Sequence, residues 1–257
     1  MATLRGTTVF ITGASSGIGE SCARAFAREG CNLLLAARRK EKIDALAGAL
    51  KAEHGIAVHA VRLDVTRPDD VAALVSALPA PWNAPDILLN NAGLSRGLTK
   101  LHEGELQDWE EMIDTNIKGL LYVTRAILPG MVQRNSGHVI NIGSIAGRQL
   151  YPSGNVYCAT KFAVRALSEG LRMDLLGTNV RISTVDPGLV ETEFSKVRFR
   201  GDAPRAAQAY KNMRPLHGDD IAEVVVFCAS RPLHVDIAEV VVMPTDQASV
   251  NHVHRTA

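Results

Sequence analysis

Cysteine, aromatic residues and long apolar runs are scarce in this chain, and each scarcity argues against something. The four cysteines, Cys22, Cys31, Cys158 and Cys228, form no C-x-x-C pair, and no His/Cys group has zinc-site spacing. They are expected as small buried thiols in a reducing compartment. Aromatics make up 5% of the residues and hydrophobics 46%, so the core must be mostly aliphatic. No apolar stretch approaches the roughly 20 residues of a membrane-crossing helix. The opening Met1-Ala2-Thr3-Leu4-Arg5-Gly6 carries no secretory signal, and a cytoplasmic location is expected. A net charge of +1 removes any general electrostatic grip on nucleic acid or an anionic membrane. Internal repeats and low-complexity tracts are absent too.

What is present is an alternation of short β-branched runs with helical periodicity, over a length of 257 residues that suits one large α/β domain. Thr7–Thr12, Asn32–Ala37, Val58–Leu63, Asp86–Leu89, His138–Gly143, Asn179–Val185 and Val240–Met243 read as strands. The alternation predicts a parallel, doubly wound sheet in the order 3-2-1-4-5-6-7. Helical patterns fill the gaps. The longest, Leu106–Arg134, contains Asn116, a poor residue for a helix interior because its amide competes for backbone hydrogen bonds. It marks either a kink or a side chain holding a water or a backbone group. Val190–Leu216 reads as irregular, rich in Arg, Lys and Pro, and is expected to be a mobile lid. Asp219 or Asp220 is expected to cap the helix that follows. In the polar tail 246–257, His252 and His254 are expected at the surface and no metal site is expected.

The first strand runs into Gly13-Ala14-Ser15-Ser16-Gly17-Ile18-Gly19, and helical periodicity follows. Strand, glycine turn and helix in that order let a backbone approach a pyrophosphate resting on the helix N-terminus. An ordinary tight turn is the alternative. The second strand ends in Ala37-Arg38-Arg39 with no carboxylate before Glu41. An acid there would accept hydrogen bonds from a bare ribose 2′-hydroxyl. A small residue beside guanidinium groups fits a 2′-phosphate instead, which implies NADP. Further on, Asp64 could reach an adenine amino group or cap a turn. Asn90-Asn91-Ala92-Gly93 closes the fourth strand, with asparagines suited to tying strands together and a glycine that admits close approach.

Ser144 stands at the carboxyl end of the fifth strand, the edge where ligands bind in open parallel sheets. Tyr157 and Lys161 are four residues apart, hence one turn apart on one helix face. An ammonium beside a phenol favours the phenolate. A free tyrosine titrates near pH ~10, so acting as a base near neutrality needs a shift of about 3 units, or roughly 4 kcal/mol.

Together Thr12-Gly13-x-x-x-Gly17-Ile18-Gly19, Asn90-Asn91-Ala92-Gly93, Asn116, Ser144, Tyr157-x-x-x-Lys161 and Pro187-Gly188 resemble the short-chain dehydrogenases/reductases over the whole chain. The resemblance implies a single Rossmann domain. It makes Tyr157 the general acid/base, with Ser144 polarising the substrate carbonyl. Lys161 would bind the nicotinamide ribose and lower the tyrosine pKa, and Asn116 would hold the water of a proton relay. Val65, Asn91, Ala92, Pro187, Gly188, Val190 and Thr192 fall along the dinucleotide, and Arg38 at its 2′-phosphate. Two further stretches, Gly188–Gly201 and Met243-Pro-Thr-Asp-Gln-Ala248, are similar to NADP-dependent 3-hydroxy acid dehydrogenases, the group that includes L-allo-threonine and serine dehydrogenases. This implies a small hydroxy acid (serine, allo-threonine or 3-hydroxypropionate in type) whose carboxylate wants an arginine. Arg148 and Arg198 are the candidates. The expectation falls first on Arg148, whose loop lies between catalytic residues. Two alternatives stay open: reduction of a bulkier ketone or aldehyde against the apolar wall Leu150, Leu189 and Val190, and a non-catalytic dinucleotide sensor. The resemblance also implies a homotetramer paired through the two long helices.

Overall fold

A computed structural model describes residues 3–256. Its central sheet has seven parallel strands: β1 (Thr8–Thr12), β2 (Asn32–Ala37), β3 (Val58–Arg62), β4 (Ile87–Asn90), β5 (Gly137–Ile142), β6 (Val180–Pro187) and β7 (Glu239–Val242). They lie in the expected order 3-2-1-4-5-6-7. β1 and β6 are buried along their entire length, as strands covered on both faces by helices must be. That double burial explains why they read as continuous apolar runs and not as alternating ones. Helices α1 (Gly17–Arg28) and α2 (Lys40–His54), with a later helix, α9 (Gly218–Ala229), close one face over Phe26, Ile43, Leu50, Ile221 and Val225. The other face is closed by α3 (Pro68–Ala77), α5 (Leu120–Gln133) and α6 (Asn155–Asp174), through residues such as Val71, Val123, Ile127 and Leu171. All four cysteines are buried and free.

The strand order reverses between β1 and β4, and the carboxyl ends of the strands open there into a cleft. Asn90 at the end of β4 and Asn91 just past it hold this edge together. Asn90 Nδ2 donates to Asn141 Oδ1 on β5 and to Thr124 Oγ1 on α5, each at 2.9 Å. Asn91 Nδ2 donates to the carbonyls of Thr12 (3.0 Å) and Gly13 (3.2 Å), which fixes the start of the glycine turn.

Three expectations are corrected. The long helix is not continuous: α4 (Leu106–Ile113) passes into a wider π-type turn, Asp114–Gly119, before α5. The segment after β6 is not irregular, since it folds into α7 (Phe194–Arg198) and α8 (Ala203–Gln208). Its base is closed by backbone pairing, with Glu191 N–H donating to the Leu216 carbonyl (2.8 Å) and Leu216 N–H to the Leu189 carbonyl (2.9 Å). The cap of α9 is His217, whose backbone N–H donates to Asp220 Oδ2 at 2.7 Å, so Asp220 serves from the first turn and not from the cap position.

Candidate active site

The cleft encloses about 940 Å³ and runs from Arg38 at one end to the α7 segment at the other. At the first end, Gly13 and Gly17 have φ of +67° and +57°, which side chains rarely tolerate. A Cβ on Gly17 would also press on Thr192 at 3.1 Å. Gly19 is a correction. It does not line the cleft; it lets α1 pack against the glycine turn and Asn91 just past β4, because a Cβ there would come within 2.4 Å of Asn91 Nδ2 and 2.5 Å of the Gly13 carbonyl. Ser15, Ser16, Gly17 and Ile18 do line the cleft, as do Asp64, Val65, Asn91, Ala92, Gly93, Pro187, Gly188, Val190 and Thr192. Asp64 caps a turn as well, its Oδ1 accepting from Thr66 N–H (3.1 Å) and Oγ1 (2.9 Å).

The two arginines after β2 are used differently. Arg38 is exposed in the cleft and has no hydrogen-bond or ion-pair partner among the described residues. Arg39 spans the glycine turn, donating to Ser15 Oγ and Ser16 Oγ, and it also pairs with Glu193 at 2.8 Å across to the α7 segment. A glycine cradle beside an unpaired guanidinium fits a phosphorylated dinucleotide.

At the cleft's centre, Ser144 begins a single turn and its Oγ accepts from Ala146 N–H at 3.1 Å. That bond leaves the hydroxyl proton free to point elsewhere. Tyr157 lies on α6 with Lys161 one turn on, its Nζ 6.0 Å from the phenol ring centre. Lys161 Nζ donates to the Ile142 carbonyl at 2.9 Å, so β5 sets its position. Burial lowers the Lys161 pKa to about 8, against the pull of Asp186. Burial, helped by Tyr151, pushes the Tyr157 phenol up from its ordinary value, while Arg198 and Ser144 pull it down. The protein alone therefore leaves the phenol protonated, opposite to the expected shift.

Asn116 sits in the π-type turn, 2% exposed and outside the cleft lining. Its Nδ2 donates to the Leu94 carbonyl (2.8 Å) and Thr160 Oγ1 (3.0 Å), and its Oδ1 accepts from Leu94 N–H (2.8 Å). The side chain thus ties the loop after β4 to α6 and spends both amide protons doing so. It holds a backbone group, the second of the two readings its position left open.

The carboxylate expectation reverses. Arg148 does not face the cleft. Its Nε pairs with buried Asp186 on β6 at 2.7 Å and its Nη2 with Glu239 at the start of β7. Leu150 likewise points away, 62% exposed. Arg198, at the end of α7, lies in the cleft with its guanidinium carbon 5.4 Å from the Tyr157 ring centre. Its Nε donates to Ser95 Oγ (2.9 Å), and its Nη2 donates to the Tyr151 hydroxyl.

The profile of the short chain dehydrogenase family matches residues 7–203. The chain belongs to the short-chain dehydrogenases. Among curated members of the family, the NADP-dependent 3-hydroxy acid dehydrogenase YdfG of Salmonella typhi is 48% identical over 250 residues, 96% of this chain and 99% of that protein. The NADP-dependent 3-hydroxy acid dehydrogenase of Schizosaccharomyces pombe is 43% identical, with 99% of each chain covered. Of solved short-chain dehydrogenases, a closed form of serine dehydrogenase complexed with NADP+ superposes with a TM-score of 0.91 at 45% identity, covering 97% of this chain and 100% of the other.

Some lining residues of this short-chain dehydrogenase escaped the sequence reading. Arg96, Tyr151 and Phe194 flank Arg198, and Val250, Val253 and Arg255 come from the tail. The tail forms a strap, with His252 and His254 exposed on it as expected. Asn251 Nδ2 donates to the Leu150 carbonyl (2.9 Å), Thr256 N–H donates to the Asn212 carbonyl (2.8 Å), and Gln247 Oε1 accepts from Leu189 N–H (2.8 Å). Local composition carries no signal for such distant partners.

Proposed function

We propose that this chain is an NADP-dependent oxidoreductase that acts on the β-hydroxyl, or the matching carbonyl, of a small 3-hydroxy acid. One observation carries the reading: Ser144, Tyr157, Lys161 and Arg198, which has no carboxylate partner among the described residues, face one cleft that leads to the glycine cradle. A nicotinamide bound there supplies the hydride acceptor or donor. Arg38 and Arg39 hold the 2′-phosphate end, and Lys161 the ribose. Ser144 donates its free hydroxyl proton to the substrate oxygen, and Tyr157 takes or gives the proton on that oxygen. Arg198 receives the carboxylate and orients the hydroxyl toward Tyr157. A small hydroxy acid has little apolar area to bury, at about 25 cal/mol per Å², so an ion pair must supply much of its affinity. Segment 190–216 acts as the lid over this substrate. Serine, allo-threonine and 3-hydroxypropionate are the substrate types this site suits, and Arg198 favours them over a bulkier uncharged ketone. The intact Ser144, Tyr157 and Lys161 set speaks against a non-catalytic sensor.

The test is a panel of hydroxy acids and uncharged alcohols with NADP and with NAD, read by the absorbance of reduced nicotinamide. Turnover confined to hydroxy acids with NADP is expected. Equal or better rates with bulky uncharged alcohols would move the bulkier-carbonyl reading to first place. No helix among the described residues is long and apolar enough to cross a membrane, and the buried free thiols suit a cytoplasmic enzyme. We further infer a homotetramer, supported by the exposed apolar side chains Leu106, Ile113 and Leu121 on α4 and α5 and Phe162 and Met173 on α6. A monomer by light scattering at micromolar concentration would sink that inference.

A further inference from the structure

We propose that Arg198 is also a positioning residue for Tyr157, supplying a second cation that stabilises the phenolate once the α7 segment lies over the cleft. The proposal rests on the reading of Tyr157 as the proton acceptor. Its ground is geometric. The Arg198 guanidinium carbon is 5.4 Å from the Tyr157 ring centre, and Lys161 Nζ is 6.0 Å from it. A charge on another segment of the chain therefore stands as close to the Tyr157 ring as the helix's own lysine. An opposite charge at about 4–6 Å displaces a pKa by roughly 1–3 units.

Arg198 is held in that place from several directions. Ser95 and Tyr151 accept its hydrogen bonds. Gly97 N–H donates to the Arg198 carbonyl at 3.0 Å, and Arg96 donates to the Val197 carbonyl. Phe194 packs edge-on to Tyr157 with 5.7 Å between ring centres. The charge is also uncompensated. Arg39 is paired with Glu193, Arg96 with Glu111, Arg148 with Asp186 and Glu239, and Arg200 with Asp108 and Glu111. No carboxylate pairs with Arg198 among the described residues.

The groups around the phenol show why a second cation matters. Burial is the largest influence and opposes ionisation, and Tyr151 and Cys158 act in the same direction. Ser144 and Arg198 act against it, and Lys161 is drawn toward the Ile142 carbonyl with Asp186 behind it. Covering the cleft excludes water and makes a bare phenolate costlier. The segment that covers it brings a cation of its own, so the cover and its compensation arrive together.

The experiment compares wild type with Arg198→Met and Arg198→Lys in the oxidative direction. The acid limb of the pH profile of kcat/KM reports the proton acceptor in the free enzyme. Arg198→Met is expected to displace that limb upward by about one pH unit, a tenfold loss below it, and Arg198→Lys to restore most of the shift. A merely structural role, or a role confined to carboxylate binding, would lower the whole profile and leave the limb in place; that outcome overturns the proposal while leaving the hydroxy acid reading intact. Where Arg198→Met turns over too slowly, tyrosinate absorbance replaces turnover. The difference between each protein and its Tyr157→Phe counterpart isolates the one phenol, whatever the substrate. An unchanged Tyr157 titration in Arg198→Met overturns the proposal by that route. Absence of any hydroxy acid turnover in wild type would instead undo the function reading.

Discussion

The two ends of the cleft are made of different material. The cradle end is largely backbone: Gly13 and Gly17 in the left-handed region, and strand ends tied by Asn90 and Asn91. Its parts lie within a few residues of one another or on paired strands. The lid end is made of side chains that meet across long sequence separations. Arg198 meets Ser95 and Tyr151, Arg39 meets Glu193, and the tail meets the loop after Ser144. The first kind of wall is rigid and indifferent to most substitutions on its surface. The second depends on individual side chains, so each of them can be removed and its effect read.

The largest effect should come from the residue between the two walls. Tyr157→Phe should lower kcat by about 10²–10⁴-fold and leave NADPH affinity, by fluorescence titration, near wild type. Lys161→Ala should damage both. Substantial turnover by Tyr157→Phe would remove the phenol from the chemistry.

At the cradle end, Ala37→Asp combined with Arg38→Ser removes the unpaired guanidinium and installs an acid. NADP binding should weaken by about 1.5–3 kcal/mol, or roughly 10–150-fold, and NAD should become usable. A wild type that already prefers NAD in side-by-side kinetics would contradict this.

The two arginines sharpen the comparison. Arg198→Ala should raise KM for hydroxy acids by roughly tenfold or more, whereas for uncharged alcohols only the acid limb of the pH profile should move. Arg148→Ala should instead strand Asp186, which is 1% exposed, and cost about 3 kcal/mol of stability, seen as a lower Tm. If the effects trade places, the structural assignment of the two arginines is wrong.

The smallest effect belongs to the clasp between the walls. Arg39, with Lys42, holds the Glu193 carboxyl down at about 2. A depressed acid contributes fully above the ordinary carboxylate range, and that contribution is lost only as pH falls through about 2. The pair is more than a third exposed, so it is worth about 0.2–1 kcal/mol. Glu193→Gln should therefore raise substrate KM by at most about fivefold, equally at pH 5 and pH 8. An effect that vanishes at pH 5 would mean that the clasp titrates in the working range.

Legibility in the sequence follows the same division. The sheet order and the glycine turn were readable because strand burial and helix spacing are local signals. Tyr157 and Lys161 line the cleft together, as the four-residue period and the motifs before it suggested. The sequence favoured Arg148 over Arg198 and the structure reverses that choice, because which of them faces the cleft depends on the path of a 27-residue excursion whose ends pair at Val190 and Leu216. Arg148 is consumed by Glu239, a residue 91 positions away. Asn116 announced itself as misplaced in a helix, but its partner Leu94 lies 22 residues upstream, on a loop with no pattern of its own.

The π-type turn at Asp114–Gly119 has a consequence for the gene. Such a turn holds one residue more than regular α-helix would. Deleting the codon for Thr115 would let α4 and α5 run together as a single regular helix, with better hydrogen bonds. The same deletion would close the widened turn in which Asn116 sits. Asn116 would swing off the Leu94 backbone, and the tie to Thr160 on α6 would part. The shorter reading frame would encode a sounder helix and a poorer enzyme. Selection for turnover, acting against selection for stability, would then be what keeps that one codon in place.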